Sequence, residues 1–283
     1  MNRTVDSVLG CIIGGAIGDV LGGVPERGSQ SISDDTQLTL ATCQSIARLG
    51  YVDPQDIAAE FLRSFRRREL TGLGSSTFKA LRDLDAGGHW ALSGATGERS
   101  AGNGAAMRIA PLAFLLDPQS ARDRVIIRDV CRITHHHDEA YLGALAVLHA
   151  IRSVDWSLAG FDRLAKRLPD SLVRDRLTLF SSLPEETPIA EVAVRFGSSG
   201  YAVETVPLAL LLATRMIRVD FAQALFDLAE VRGGSDTIGS IAGQIAGSHI
   251  GYSTIPAVLS ELEPVREMLP SARAIAASMS SPS

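Results

Sequence analysis

Two rows of glycine limit what this chain can fold into. Gly10, Gly14, Gly18 and Gly22 recur at four-residue steps, and so do Gly239, Gly243, Gly247 and Gly251. Each set falls along one face of a helix. Glycine inside a helix is less favourable than alanine by roughly 1 kcal/mol, so two such rows need a compensating gain. A smooth groove that lets another helix or a ligand come very close supplies one, and tight helix packing is the simpler reading. The expectation is two central helices lying against each other. A dinucleotide-binding loop is the wrong reading of the first row, because the strand that must precede a GxGxxG turn is missing.

Helical periodicity dominates elsewhere and strand signals are scarce. Residues 36–49 place Leu38, Ala41, Ser45 and Leu49 at three- and four-residue steps, and Gly50 follows as a C-terminal cap. Asp56–Arg68, His135–Ile151, 205–217 and 219–231 read as helices too. The stretch 152–195 is the most charged and least patterned, with surface helices and a loop over Ser181–Thr187. With 283 residues and only 5% aromatics, the fold class is all-α: one compact domain over 1–275 around an aliphatic core, followed by a disordered tail at 276–283.

Charge and cysteine content narrow the function classes. A net charge of -5 lacks the positive excess of a nucleic-acid binder. Cys11, Cys43 and Cys131 are far apart and form no CxxC, which suggests neither disulfides nor a cysteine metal site and points to a reducing, cytoplasmic setting. Residues 8–24 are apolar, but Asp19 and the glycines interrupt them, so no membrane span is expected.

Ser33-Asp34-Asp35-Thr36 would serve well as a helix start, with Ser33 as N-cap and two carboxylates favoured by the helix dipole. The pattern recurs at Ser235-Asp236-Thr237, just before the second glycine row. Two acidic helix starts brought together would repel unless a cation lay between them. Carboxylate and hydroxyl oxygens without His or Cys suit Mg²⁺, Mn²⁺ or Ca²⁺. Asp19 lies on the glycine-rich helix, too apolar a place for an idle charge. It reads as a group that supports the site or hydrogen-bonds a substrate. Backbone amides at Gly102–Arg108 suit a diphosphate, with Ser100, Asn103 and Gly104 as candidate contacts. Arg108, among apolar neighbours, is expected to pair with a buried carboxylate in a structural role. His135-His136-His137 cannot converge on one ion from a helix, where adjacent residues point about 100° apart. His149 reads as a satisfied core histidine. Tyr201 would stack on an adenine or simply pack beside its glycine loop.

Taken in order, the blocks GCIIGGAIGDVLGGVPE (10–26), SDDT (33–36), GLGSST (72–77), SAGNGAAMRIAP (100–111), ITHHHDEA (133–140), GSSGYAVETVP (197–207) and GGSDTIGSIAGQIAG (233–247) resemble the ADP-ribosylglycohydrolases. That resemblance implies a compact all-α fold with two divalent metals, Mg²⁺ or Mn²⁺, and cleavage of the bond between ADP-ribose and its acceptor. It puts the metal ligands at Ser33, Asp34, Asp35, Asp236 and Thr237. Gly234 takes the place of a further aspartate in the family's Gly-Gly-Asp-x-Asp-Thr motif, so one expected ligand is missing and one of the two metals is in question. The resemblance also implies that Asp35 positions water or accepts its proton and that Glu26 acts as acid or base. Gly74 would contact substrate, Thr134 would cap a helix, and His135 would face the diphosphate, leaving His136 and His137 solvated. The implied partner is an ADP-ribose-containing substrate, free or protein-linked. The alternative is a weakened relative that binds ADP-ribose or a related nucleotide without hydrolysis.

Overall fold

The computed structural model describes residues 4–281, apart from Ser29 and Val154 and the side chains of Pro25, Glu26, Arg27 and Arg99. The chain forms α1 (Val5–Arg27), α2 (Asp34–Leu49), α3 (Pro54–Arg66), α4 (Ser75–Asp85), α5 (Trp90–Ser93), α6 (Ala121–Arg132), α7 (Asp138–Ile151) and α8 (Leu158–Ala165). It continues with α9 (Leu172–Phe180), α10 (Ile189–Phe196), α11 (Ala202–Arg218), α12 (Phe221–Leu228), α13 (Ser235–Ile250), α14 (Ala257–Ser260) and α15 (Glu263–Ser280). The extended pairing seen among the described residues consists of isolated bridges, Ala95 with His135 and Gly102 with Tyr201.

The two glycine-rich helices, α1 and α13, lie antiparallel at the centre. Gly10 meets Gly247, Gly14 meets Gly243, Gly18 meets Gly239, and Gly22 meets Ser235. At Gly18 and Gly239 an added Cβ would overlap the partner's carbonyl oxygen, so only glycine permits this spacing. Residues 8–20 of α1 and 237–248 of α13 are buried throughout, and Ile13, Ile17, Ile238, Ile241 and Ile245 are fully so. Length and composition alone would let Val5–Val24 cross a membrane, but 83% of that window is buried among the other helices. α11 packs along α13, and α15 packs over α1 and α2.

Local signals set the ends of these helices. Thr4 and Ser7 form a reciprocal capping box at the start of α1. Ser33 caps α2, and Gly50 ends it at φ 78°. Three expectations need correction. The helix expected from His135 begins at Asp138, because His137 supplies the cap: its Nδ1 accepts from Glu139 N at 3.1 Å. His136 and His137 are accordingly half-buried rather than solvated, and Thr134 is no cap. The tail expected to be disordered from Ala276 continues α15 to Ser280, with Ala276 and Met279 buried. His149 is buried as expected but not satisfied, since neither ring nitrogen has a hydrogen-bond partner among the described residues. Burial lowers its pKa to about 4 and keeps it neutral.

Candidate active site

The antiparallel pair fixes where the chemistry can sit. It brings the end of α1 beside the start of α13, and Ser235 Oγ donates to Gly22 O at 2.7 Å. The start of α2 lies over the last turns of α1. Two helix N-termini, each with positive partial charge, therefore approach one another.

Asp19 organises this junction from below. It is fully buried, and its carboxylate accepts from Ser33 N (2.8 Å), Ser33 Oγ (2.8 Å) and Thr36 Oγ1 (2.6 Å). It therefore holds the turn before α2, which fits the supporting role, the first of the two roles that the sequence left open for it. Ser33 Oγ also lies 3.1 Å from Asp35 Oδ2, and Thr237 Oγ1 donates to the same oxygen at 3.2 Å across 202 residues of sequence. The two hydroxyl–acid turns thus meet. Asp236 is half-buried beside them, with Oδ1 accepting from Thr237 N at 2.8 Å. Asp34 N donates to Thr71 O at 2.8 Å, which draws the 71–74 loop over the carboxylates.

So many acids in one buried place raise the pKa of the two aspartates that open α2. Asp34 is pushed up to about 7, first by burial and then by Asp19 and Asp236. Asp35 is held well above the usual carboxylate range by burial and by Asp19, Asp34 and Asp236. Arg108 opposes this at Asp34 but is itself buried elsewhere. Asp35 Oδ1 is buried and has no hydrogen-bond donor among the described residues. An oxygen-only donor set, excess negative charge and an orphaned carboxylate oxygen together suit a hard divalent cation. Among the described residues no three His, Cys, Asp or Glu side chains stand close enough to hold an ion alone. A cation would therefore draw on the hydroxyls of Ser33 and Thr237, and on water, as well as on Asp34, Asp35 and Asp236.

The backbone at Gly234 gives a structural reason for a glycine there. It is left-handed, at φ 63°, and a Cβ there would lie 2.7 Å from Ser198 O. In this backbone an aspartate at 234 would need both the turn and the 198–201 loop to move. Restoring it is thus no simple route to an additional ligand.

The 198–201 loop joins the acidic junction to a second group of predicted residues. Gly200 O accepts from Asn103 N at 2.9 Å, and Ala101 O accepts from Ala202 N at 3.0 Å. Gly102 and Gly104 lie against the His135 ring, and a Cβ on Gly104 would stand 2.7 Å from His135 Cε1. Burial, reinforced by Arg108, lowers the His135 pKa to about 3, so the ring is neutral. Asn103 is half-buried and spends its Nδ2 on Thr205 Oγ1 at 3.1 Å. Ser100 is buried and donates to Gly97 O at 2.6 Å within its own turn, against the expectation of a substrate contact. Tyr201 is half-buried just before α11.

Gly74 sits exposed at the start of α4 with nothing within 4 Å of a Cβ. Gly72, two residues earlier, stands against the acidic junction. It has φ 81°, and its Cβ position lies 3.3 Å from Asp34 Oδ1. Sequence reading also missed Thr36 and Thr134 as side chains that bond Asp19 and His135. Arg108 pairs with no carboxylate among the described residues. It donates to Gly104 O, Val130 O and Thr134 Oγ1 and lies over the Phe61 ring. Glu26 lies on α1, but its side chain falls outside the described residues.

The model of the ADP-ribosylglycohydrolase family matches residues 1–282. The ADP-ribosyl-[dinitrogen reductase] glycohydrolase of Rhodospirillum rubrum is 28% identical over 277 residues, covering 89% of this chain and 88% of its own. ADP-ribosylhydrolase ARH3 of Danio rerio is 25% identical, covering 87% and 83%. A solved structure described as an ADP-ribosylglycohydrolase-related protein complex superposes with a TM-score of 0.68 at 26% identity, over 99% of both chains. With that match running the length of the helical fold, the chain belongs to the ADP-ribosylglycohydrolase family.

Proposed function

We propose that the protein is a divalent-metal-dependent hydrolase that cleaves the glycosidic bond between ADP-ribose and its acceptor, on a modified protein or a small conjugate. The observation that carries this reading is the meeting of Thr237 Oγ1 and Asp35 at 3.2 Å, beside an Asp35 Oδ1 with no donor among the described residues. Mg²⁺ or Mn²⁺ bound by Ser33, Asp34, Asp35, Asp236 and Thr237 would orient ribose hydroxyls and acidify a bound water. Asp35 then offers an acceptor for the proton of the attacking water. Bond cleavage passes through an oxocarbenium-like state at the anomeric carbon. Glu26 is the proposed partner that assists the leaving group. The cytoplasm is the proposed location.

The decisive experiment incubates the purified protein with peptides ADP-ribosylated on arginine or on serine, with and without Mg²⁺ or Mn²⁺. Release of free ADP-ribose only in the presence of metal is the expected result. Binding without release would instead support the second reading, a relative that retains ADP-ribose without hydrolysing it. The left-handed turn at Gly234 favours that reading, because it leaves no room there for a carboxylate side chain.

Metal binding should depend on pH in a stated direction. The Asp34 pKa is raised from 3.8 to about 7 in the folded protein. Its protonation therefore stabilises the metal-free fold fully below about 3.8, and that contribution is lost as pH rises through about 7. A cation competes with this proton. Thermal shift assays should show a larger Mn²⁺-induced rise in Tm at about pH 8 than at about pH 6. An equal rise at both values would count against ion binding at Asp34.

A further inference from the structure

We infer that Arg108 is a positioning residue which, through Thr134, fixes His135 as the Nε2–H tautomer and presents a neutral hydrogen-bond donor beside Gly102 and Gly104. The inference rests on the reading that this cleft receives ADP-ribose, and it deepens that reading. Arg108 is fully buried, and a guanidinium only donates. Its Nη2 donates to Thr134 Oγ1 at 2.8 Å, which makes that oxygen an acceptor in this bond. Other guanidinium donors go to Gly104 O and Val130 O, so the group is clamped on several sides. Thr134 is also fully buried, and its hydroxyl proton needs an acceptor. Among the described residues the acceptor within reach is His135 Nδ1, at 2.8 Å. Nδ1 therefore receives the proton, and Nε2 must carry the ring's own hydrogen.

The direction of Nε2 follows from the glycines. A Cβ on Gly102 would lie 3.0 Å from Nε2, and one on Gly104 would lie 3.3 Å from it. The imidazole edge is thus open to a ligand only because both positions lack side chains. His135 itself is 3% exposed, and no protein acceptor for Nε2 is seen among the described residues. The chemistry suits a substrate oxygen, such as a phosphate or ribose oxygen, that accepts from a neutral donor. The low His135 pKa agrees, since burial and then the nearby Arg108 disfavour the imidazolium form. Arg108 thereby acts at a distance from the substrate. It sets the state of the group that would make contact.

The test is a two-bond ¹H–¹⁵N correlation spectrum of histidine-labelled protein without ligand. The six histidines are assigned with a His135→Gln variant. The expected wild-type pattern has an unprotonated Nδ1 and a protonated Nε2 at His135. Thr134→Val, nearly equal in volume, removes the hydroxyl proton and should move the pattern toward the Nδ1–H form, and Thr134→Ser should restore it. Thr134→Val should also lower kcat/KM for ADP-ribose release about fivefold to tenfold, the worth of one neutral hydrogen bond, with recovery in Thr134→Ser. A wild-type Nδ1–H pattern, or a Thr134→Val spectrum identical to wild type, would overturn the relay whatever the activity. The expected spectrum in a protein that releases no ADP-ribose would leave the relay standing and sink the hydrolase reading instead.

Discussion

Replacing Asp35 with asparagine is expected to lower ADP-ribose release by about 100-fold or more while raising the Tm of the metal-free protein. The loss follows from removing a proton acceptor and a charged ligand together, and general-base contributions alone run to about 10²–10⁴. The gain in stability follows from the same carboxylate. Burial and the neighbouring Asp19, Asp34 and Asp236 hold its pKa well above the usual range. The ionised side chain therefore opposes folding at neutral pH, and a neutral amide of the same shape relieves that repulsion. If Asp35 served only as a charge in the first turn of α2, its removal would instead cost about 0.3–1 kcal/mol. The two accounts thus differ in sign. Chromatographic detection of ADP-ribose, with thermal melts in the presence and absence of Mn²⁺, reads both effects. The Mn²⁺-induced shift should also disappear. A variant with wild-type release, or one that melts lower without metal, would remove Asp35 from the proposed chemistry.

Changing Gly18 to alanine is expected to destabilise the protein by about 3 kcal/mol, and by more if the helices cannot separate. On an isolated helix the same change would stabilise by roughly 1 kcal/mol. Here the new methyl group would overlap the Gly239 carbonyl, and overpacking of this kind commonly costs about 1–3 kcal/mol. The neighbouring Gly14–Gly243 and Gly22–Ser235 contacts are too close to yield independently, so the whole seam must open. Against a typical stability of about 5–15 kcal/mol, the shift in the urea midpoint should be large. Gly74→Ala is the matched control. Its backbone lies at φ -65° with no atom near the added methyl, and it should leave the midpoint nearly unchanged. Equal midpoints for the two variants would mean that α1 and α13 are not in backbone contact.

Much of this arrangement is legible in the sequence, for identifiable reasons. Four-residue glycine spacing has few uses other than close packing, so the α1–α13 pair can be anticipated. Caps such as Ser33 and Gly50 are local and readable. What escapes is whatever depends on which segments the packing brings together. Asp19 could support the site or meet a substrate on sequence grounds, and only the placement of α2, which supplies three donors, favours the first. Gly72 and Gly74 differ little on paper, yet a left-handed turn puts the first beside Asp34 and leaves the second in solvent. The run of three histidines hides three environments: His135 bonds Thr134, His136 is half-buried, and His137 caps α7. Gly234 reads as a lost ligand, whereas its positive φ and the Ser198 carbonyl explain why a side chain is absent.

The central seam also carries a consequence for biosynthesis. Thr237 and Asp35 are separated by 202 positions along the chain, and α1 finds its groove partner only once Gly239–Gly251 has left the ribosome. Until then α1 offers an uncovered strip of backbone, and the acidic turn beside it lacks its opposite wall. Contacts so remote in sequence slow folding, because the intervening loop must be closed before they are gained. The acidic junction is therefore completed only after the segment carrying α13 has been made.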